Sequence, residues 1–262
     1  MTFGISTQIY RDLPLTLDLL ESIRKAGYDR IELFCNRPHM DFHDRTVLRS
    51  IARWFRENEL PAPSMHLPFV EQTGPKQRTW ISALAAEERL RESAIDELKR
   101  SLELIEWLPL DHVVMHLGNP DDRFSPVLFE YAYAAIALVR NYAGVPVMIE
   151  NIPNEISTID RILEFKSAAQ VPEVGICYDT GHGHLQKIKD GFEHIHAMHV
   201  HDNHGKDDEH LWPFEGTINW PGLIEKLHIA KYKGPFIFET RGDLPKGHDV
   251  RKRLEDLWNE TR

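Results

Sequence analysis

The residues with a capacity for chemistry are imidazoles and carboxylates that close short apolar runs. His66 ends Ser-Met-His, His116 ends Val-Val-Met-His, and Glu150 ends Val-Met-Ile-Glu. Asp179 and His182 follow Ile-Cys-Tyr, and His199 and His201 end Met-His-Val-His, with Asp208 and His210 in the segment after. Glu239 ends Phe-Ile-Phe-Glu. A charge at the end of an apolar run is costly to bury alone. Several carboxylates drawn together repel unless they are protonated or neutralised. A divalent cation meets both requirements, and mixed carboxylate and imidazole donors suit zinc, manganese and related ions. Each residue also has a plainer role: a lone His as a hydrogen-bonded loop residue, Asp179 as a helix cap, Glu150 and Glu239 as partners of Arg or Lys. Six consecutive runs ending this way would require independent accidents, so metal binding is the expectation for the set. His194, His196, His201 and His204 are read as solvated or hydrogen-bonded groups outside it.

Eight β-like runs supply the frame: Phe3–Thr7, Arg30–Phe34, Pro63–His66, His112–His116, Val145–Glu150, Val174–Tyr178, Ile195–His201 and Phe236–Glu239. Amphipathic stretches alternate with them at Leu15–Ala26, Thr46–Asn58, Glu87–Trp107, Phe124–Tyr142, Thr158–Ala169 and Val250–Trp258. In the third, Ile95, Leu98, Leu102 and Ile105 recur at helical spacing, and its charges form a solvated face. Two shorter, weakly patterned segments, His184–Phe192 and Pro221–His228, fill the remaining intervals. This alternation predicts parallel βαβ units, with a (β/α)8 TIM barrel of residues 1–262 ahead of a doubly wound sheet. Strand ends converge on one face of such a barrel, where active sites sit.

Composition narrows the function. Of 262 residues 15 are His, while 31 basic residues face 41 acidic ones, a net charge of −10 that offers no electrostatic case for nucleic acid. Hydrophobic residues at 42% exclude a wholly disordered chain. No apolar run approaches the ~18 residues of a membrane helix, and the first residues resemble no secretory signal. Cys35 and Cys177 build no disulfide framework, so a reducing, cytoplasmic setting is expected. No Gly-x-Gly-x-x-Gly follows the first run, and P-loop, Gly-x-Ser-x-Gly and His-Glu-x-x-His motifs are missing. Phe34, Trp54, Trp107 and Phe238 read as core, whereas Trp212, Phe214 and Trp220 could wall a pocket or pack a long loop.

In their order and spacing these motifs resemble the xylose isomerase-like barrel superfamily, in its sugar phosphate isomerase/epimerase and endonuclease IV-type branch. The segments that carry the resemblance are Glu150-Asn151, Asp179-Thr180-Gly181-His182, His199-Val200-His201-Asp202, Asp208-Glu209-His210 with Glu215–Trp220, and Phe238-Glu239-Thr240. It implies one divalent metal (Mn, Zn or Mg) held by Glu150, Asp179, His199 and Glu239. Glu150 and Glu239 would then move a proton beside a carbonyl of a sugar-like substrate, with His66, His116, His182 and His210 lining the pocket. The alternative it implies is a three-zinc phosphodiester hydrolase, with His66, His116 and Glu150 around a second metal and His182, Asp208 and His210 around a third. The Glu215–Trp220 segment looks more like the isomerase branch, and the acidic charge leans toward a small substrate over DNA. A non-catalytic barrel with a structural metal is a third reading, which the full set of carboxylates opposes. No membrane partner is expected, and a homo-oligomer is left open.

Overall fold

The computed structural model describes residues 1–74, 77–120, 122–244 and 246–261. In chain order its strands are β1 (Phe3–Ser6), β2 (Arg30–Phe34), β3 (Ser64–His66), β4 (Val70–Gly74), β5 (Gln77–Trp80), β6 (Val113–Met115), β7 (Val147–Glu150), β8 (Gly175–Asp179), β9 (Ala197–Val200) and β10 (Phe236–Phe238). Eight of them close into a barrel in the order β1-β10-β9-β8-β7-β6-β3-β2, every adjacent pair parallel. The expected (β/α)8 TIM barrel is therefore the observed fold. Barrel strands are covered on both faces, which is why β8 is buried at all five positions and reads as an unbroken apolar run until Asp179. β4 and β5 form a separate antiparallel hairpin after β3, an element the apolar pattern did not predict.

The helices are α1 (Leu17–Lys25), α2 (Arg45–Glu57), α3 (Glu88–Leu102), α4 (Pro126–Ala143), α5 (Ile159–Ala168), α6 (Thr180–Gln186), α7 (Trp220–Ile229) and α8 (Lys246–Glu260). Their starts follow from side chains that take up free backbone N–H groups: Thr16 accepts from Leu19, Asp44 from Thr46 and Thr158 from Arg161. α4 stops at Gly144, whose φ of 63° is the left-handed value that glycine adopts freely. α6 corrects the sequence reading, which began that segment at His184. It starts immediately after β8, because Asp179 Oδ1 accepts the His182 N–H at 2.7 Å and caps it.

Two aromatic expectations are also revised. Phe34 is buried, as expected of core, but it also lines a cavity at the strand ends. Trp107 is only half-buried and takes the guanidinium groups of Arg45 and Arg49 against its ring. Trp212 and Trp220 are buried and pack the long loop after β9.

Candidate metal centre

The closing residues of the strands meet at the C-terminal mouth of the barrel, with Glu150 at the centre. Its Oε2 lies 3.0 Å from His66 Nε2, 3.2 Å from His116 Nε2 and 3.4 Å from His199 Nδ1, while its Oε1 lies 3.0 Å from His182 Nδ1. His199 Nδ1 is also 3.7 Å from Glu239 Oε1. Strand register explains the convergence, since Asp179 pairs with His199 across β8 and β9 and Glu150 pairs with Cys177 across β7 and β8. Donor atoms of Glu150, Asp179, His199 and Glu239 all lie within 4.8 Å of one another, as do those of His66, His116 and Glu150. Both expected groupings are thus brought together.

The third expected grouping is altered. His182 Nε2 is 3.5 Å and His210 Nε2 3.0 Å from Asp208 Oδ2, so these three are neighbours. A residue assigned to the solvated set stands among them. His201 is fully buried, with Nε2 2.9 Å from Asp179 Oδ1 and 3.7 Å from Asp208 Oδ1. The compact donor groups are Asp179 with His182 and His201, and His201 with Asp208 and His210. His199 and His201 are two residues apart on an extended segment, so both point into the mouth. His194, His196 and His204 do stand outside the centre: His194 and His204 are exposed, and His196 accepts the Ile176 N–H.

Outer contacts set which nitrogen each imidazole turns inward. His66 Nδ1–H donates to the Leu67 carbonyl at 2.9 Å, and His210 Nδ1–H donates to the Glu239 carbonyl at 2.7 Å. Only the donor N–H can face a carbonyl, which leaves the Nε2 lone pair of each for the centre. His199 is held in the opposite sense, with Nε2 3.0 Å from Glu32 Oε1 and Nδ1 facing inward. Glu32 is fully buried on β2, and its other oxygen accepts from Ser64 Oγ at 2.9 Å. Such partners fix the orientation of imidazoles that bind metals. The motif search missed Glu32 and also Gln8, whose amide contacts the His210 ring.

The spacing of the other motif residues has mechanical reasons. Asn151 Oδ1 accepts the Asp179 N–H at 2.8 Å, tying β7 to the end of β8. Thr180 Oγ1 accepts the His201 N–H and donates to the His201 carbonyl. Residue 181 is Gly because a methyl there would overlap the His201 ring. Asp202 clasps the long loop: Oδ1 accepts the N–H of Asn203 and Ile218, and Oδ2 that of Phe214 and the Trp220 indole. That loop carries Asp208 and His210 to the centre.

Among the described residues, several buried inward atoms make no well-directed hydrogen bond despite close neighbours: His199 Nδ1, His182 Nδ1, both His201 nitrogens, Asp179 Oδ2 and Glu239 Oε1. Buried polar atoms are rarely left so. A divalent cation held among Glu150, Asp179, His199 and Glu239 would satisfy the inward atoms of those residues, so this donor set fits a metal.

The protein's own charges bias the protonation of these groups. Burial opposes a charge on His182, and Asp179 and Asp208 outweigh it, holding the imidazole pKa well above the ordinary value. Burial likewise opposes His199, and the surrounding Cys177, Glu239, Glu32 and Glu150 outweigh it. Burial drives His116 down to about 4 and, with Glu150 adding repulsion, pushes Glu239 up to about 7. Incoming metal must displace the protons on His182 and His199. Affinity for Zn2+ is therefore expected to rise with pH through and beyond the ordinary imidazole range, roughly tenfold per pH unit for each proton displaced. Calorimetric titrations in buffers of different ionisation heat measure the release directly. Binding without proton release and without pH dependence would contradict this balance.

Above the centre opens a cavity of about 610 Å³. Phe69 stacks on His116 in its wall, with ring centroids 4.2 Å apart, and the β4–β5 hairpin contributes Trp80. Comparison with known proteins agrees with this architecture. Residues 20–260 match the model of the family described as xylose isomerase-like TIM barrel. Uncharacterized protein y4fM of Sinorhizobium fredii is 28% identical over 69% of this chain, which spans 66% of that relative's length. A probable endonuclease 4 of Alkaliphilus oremlandii is 24% identical over 84% of this chain and 83% of its own. Among solved structures, a D-tagatose 3-epimerase-like protein superposes with a TM-score of 0.76 at 22% identity, covering 99% of both chains. The IOLI protein with a binding zinc atom superposes at 0.73 and 17% identity, covering 100% of this chain and 99% of the other. The chain belongs to the xylose isomerase-like TIM barrel family.

Proposed function

We propose that this barrel is a divalent-metal-dependent isomerase or epimerase that moves a proton beside the carbonyl of a sugar or sugar phosphate. The observation that carries the reading is the placement of two buried carboxylates, Glu150 and Glu239, at 3.4 and 3.7 Å from His199 Nδ1 in the wall of the cavity. Glu150, Asp179, His199 and Glu239 would hold one ion, of Mn, Zn or Mg. Bound there, the ion supplies Lewis-acid stabilisation of negative charge on the substrate oxygen. Glu150 and Glu239 remove the proton and return it, each within reach of a substrate carbon lying in the cavity. His66, His116, His182 and His210 line the pocket and bind substrate hydroxyls. The carbonyl contacts of His66 and His210 hold those two rings in place, so the hydroxyls meet fixed partners there. The D-tagatose 3-epimerase-like neighbour supports the sugar reading, and the zinc-bound neighbour supports a metal.

A second reading, a multi-zinc phosphodiester hydrolase, draws on the gathering of His66, His116, His182, Asp208 and His210 around the same mouth and on the endonuclease 4 relative. The two are separated by incubating metal-loaded protein with ketoses and ketose phosphates in deuterated water. Isomerase or epimerase activity appears as deuterium entering the carbon beside the carbonyl. No exchange with any sugar, together with three tightly held zinc ions and cleavage of abasic-site DNA, would replace the first reading with the second.

A further inference from the structure

The cavity has a second polar region that the metal centre does not use. Its wall includes Arg11, Arg78, Lys206 and Arg241, brought from four separate segments of the chain. Arg11 follows β1, Arg78 lies on β5, Lys206 sits in the loop after β9, and Arg241 follows β10. Among the described residues the three guanidinium groups make no ion pair and no side-chain hydrogen bond. Arg37, in the same wall, differs: it is 2.8 Å from Glu71 and 3.4 Å from Glu97, so its charge is already answered. Arg78 and Arg241 are near enough to Arg11 to disfavour its charge. Burial, then Arg241 and Arg78, push Arg11 down to about 10, against the weaker pull of Asp12 and Asp208.

Arg11 is half-buried and Arg78, Lys206 and Arg241 are exposed, so the four cations line the open side of the cavity, and among the described residues none of them is in an ion pair. Asp12 and Asp207 share the wall, so four cations face two carboxylates, and Asp208 is engaged by His182 and His210. The excess matches a dianion. Three guanidinium forks also match the three acceptor oxygens of a phosphoryl group better than the two of a carboxylate. Loops after the last two strands of such barrels are a frequent place for phosphate, and Lys206 and Arg241 occupy those loops.

We infer that Arg11, Arg78 and Arg241, with Lys206, form a subsite for the phosphoryl group of a small phosphorylated substrate whose carbonyl end lies over Glu150 and Glu239. The subsite selects sugar phosphates over their neutral parents. This assignment rests on the isomerase or epimerase reading for the rest of the substrate.

The test compares fructose 6-phosphate with fructose, and ribulose 5-phosphate with ribulose, on metal-loaded protein. Binding is read by calorimetry and proton exchange by deuterium incorporation. The wild type is expected to bind each ester at least tenfold more tightly than its parent. Arg11→Gln, Arg78→Gln and Arg241→Gln each reduce that ratio about tenfold, and Arg→Lys at the same positions retains most of it. Exchange in neutral sugars with a ratio near one, indifferent to all three substitutions, overturns the subsite and leaves the isomerase reading standing. An arginine-dependent ratio with no exchange in any sugar keeps the subsite and removes that reading. A hexuronate gaining as much as the ester overturns the phosphoryl assignment. So does arginine-dependent binding of an abasic duplex without preference for ester over parent.

Discussion

A Glu150→Gln variant is expected to fold and to lose proton exchange at the substrate carbon by about a thousandfold, within the range assigned to general acid–base groups. Glu150 is fitted for this loss because four imidazoles surround its two oxygens at 3.0–3.4 Å. Burial works against its charge, yet His116 and His199 outweigh that and keep its pKa well below the ordinary carboxylate value. Gln therefore removes a full negative charge while keeping one carbonyl oxygen in place. Metal content, measured by elemental analysis, is expected to persist with weaker retention. In the metal-free protein, the same change strands the His182 and His199 charges and destabilises by about 3–5 kcal/mol, the usual result of breaking a buried pair. A variant that kept full turnover would remove Glu150 from proton transfer.

Metal removal is expected to have the second large effect. Exhaustive chelation abolishes exchange, and adding back Mn2+ or Zn2+ restores it. Because donors from β7, β8, β9 and the end of β10 share the ion, binding is linked to the integrity of the whole mouth. At a thousandfold excess of ion over its Kd, the gain is about 4 kcal/mol. For a chain of this size that is a rise in melting temperature of about 10 °C. Scanning calorimetry at increasing ion concentration tests it; a melting temperature indifferent to chelator would mean that this centre holds no metal.

Much of this geometry could be read before the fold was known, because barrel strands are short apolar runs and a charged residue closing such a run stands out. Glu150, Asp179 and Glu239 are of this kind. His201 was legible too, but only by parity: two residues beyond His199, it shares the same face, and judging histidines singly hid that. Glu32 carried a signal of a different sort, an acid inside the apolar run Arg30–Phe34, where burial demands a partner. The β4–β5 hairpin gave no such warning, since Val70–Trp80 has little apolar alternation to mark its strands. Gln8, Arg11, Arg78 and Arg241 share no motif or spacing. Barrel closure brings Gln8, Arg11 and Arg241 to one cavity wall, and the β4–β5 hairpin adds Arg78.

The contacts that commit the outer nitrogens of His66, His199 and His210 are made by the fold around the centre. The rings do not have to search for a rotamer when the cation enters. Ion capture therefore forfeits little side-chain entropy; its cost lies mainly in stripping water from the metal and acid from the imidazoles. Different cations should then be discriminated by how well they suit imidazoles whose directions the fold has already set.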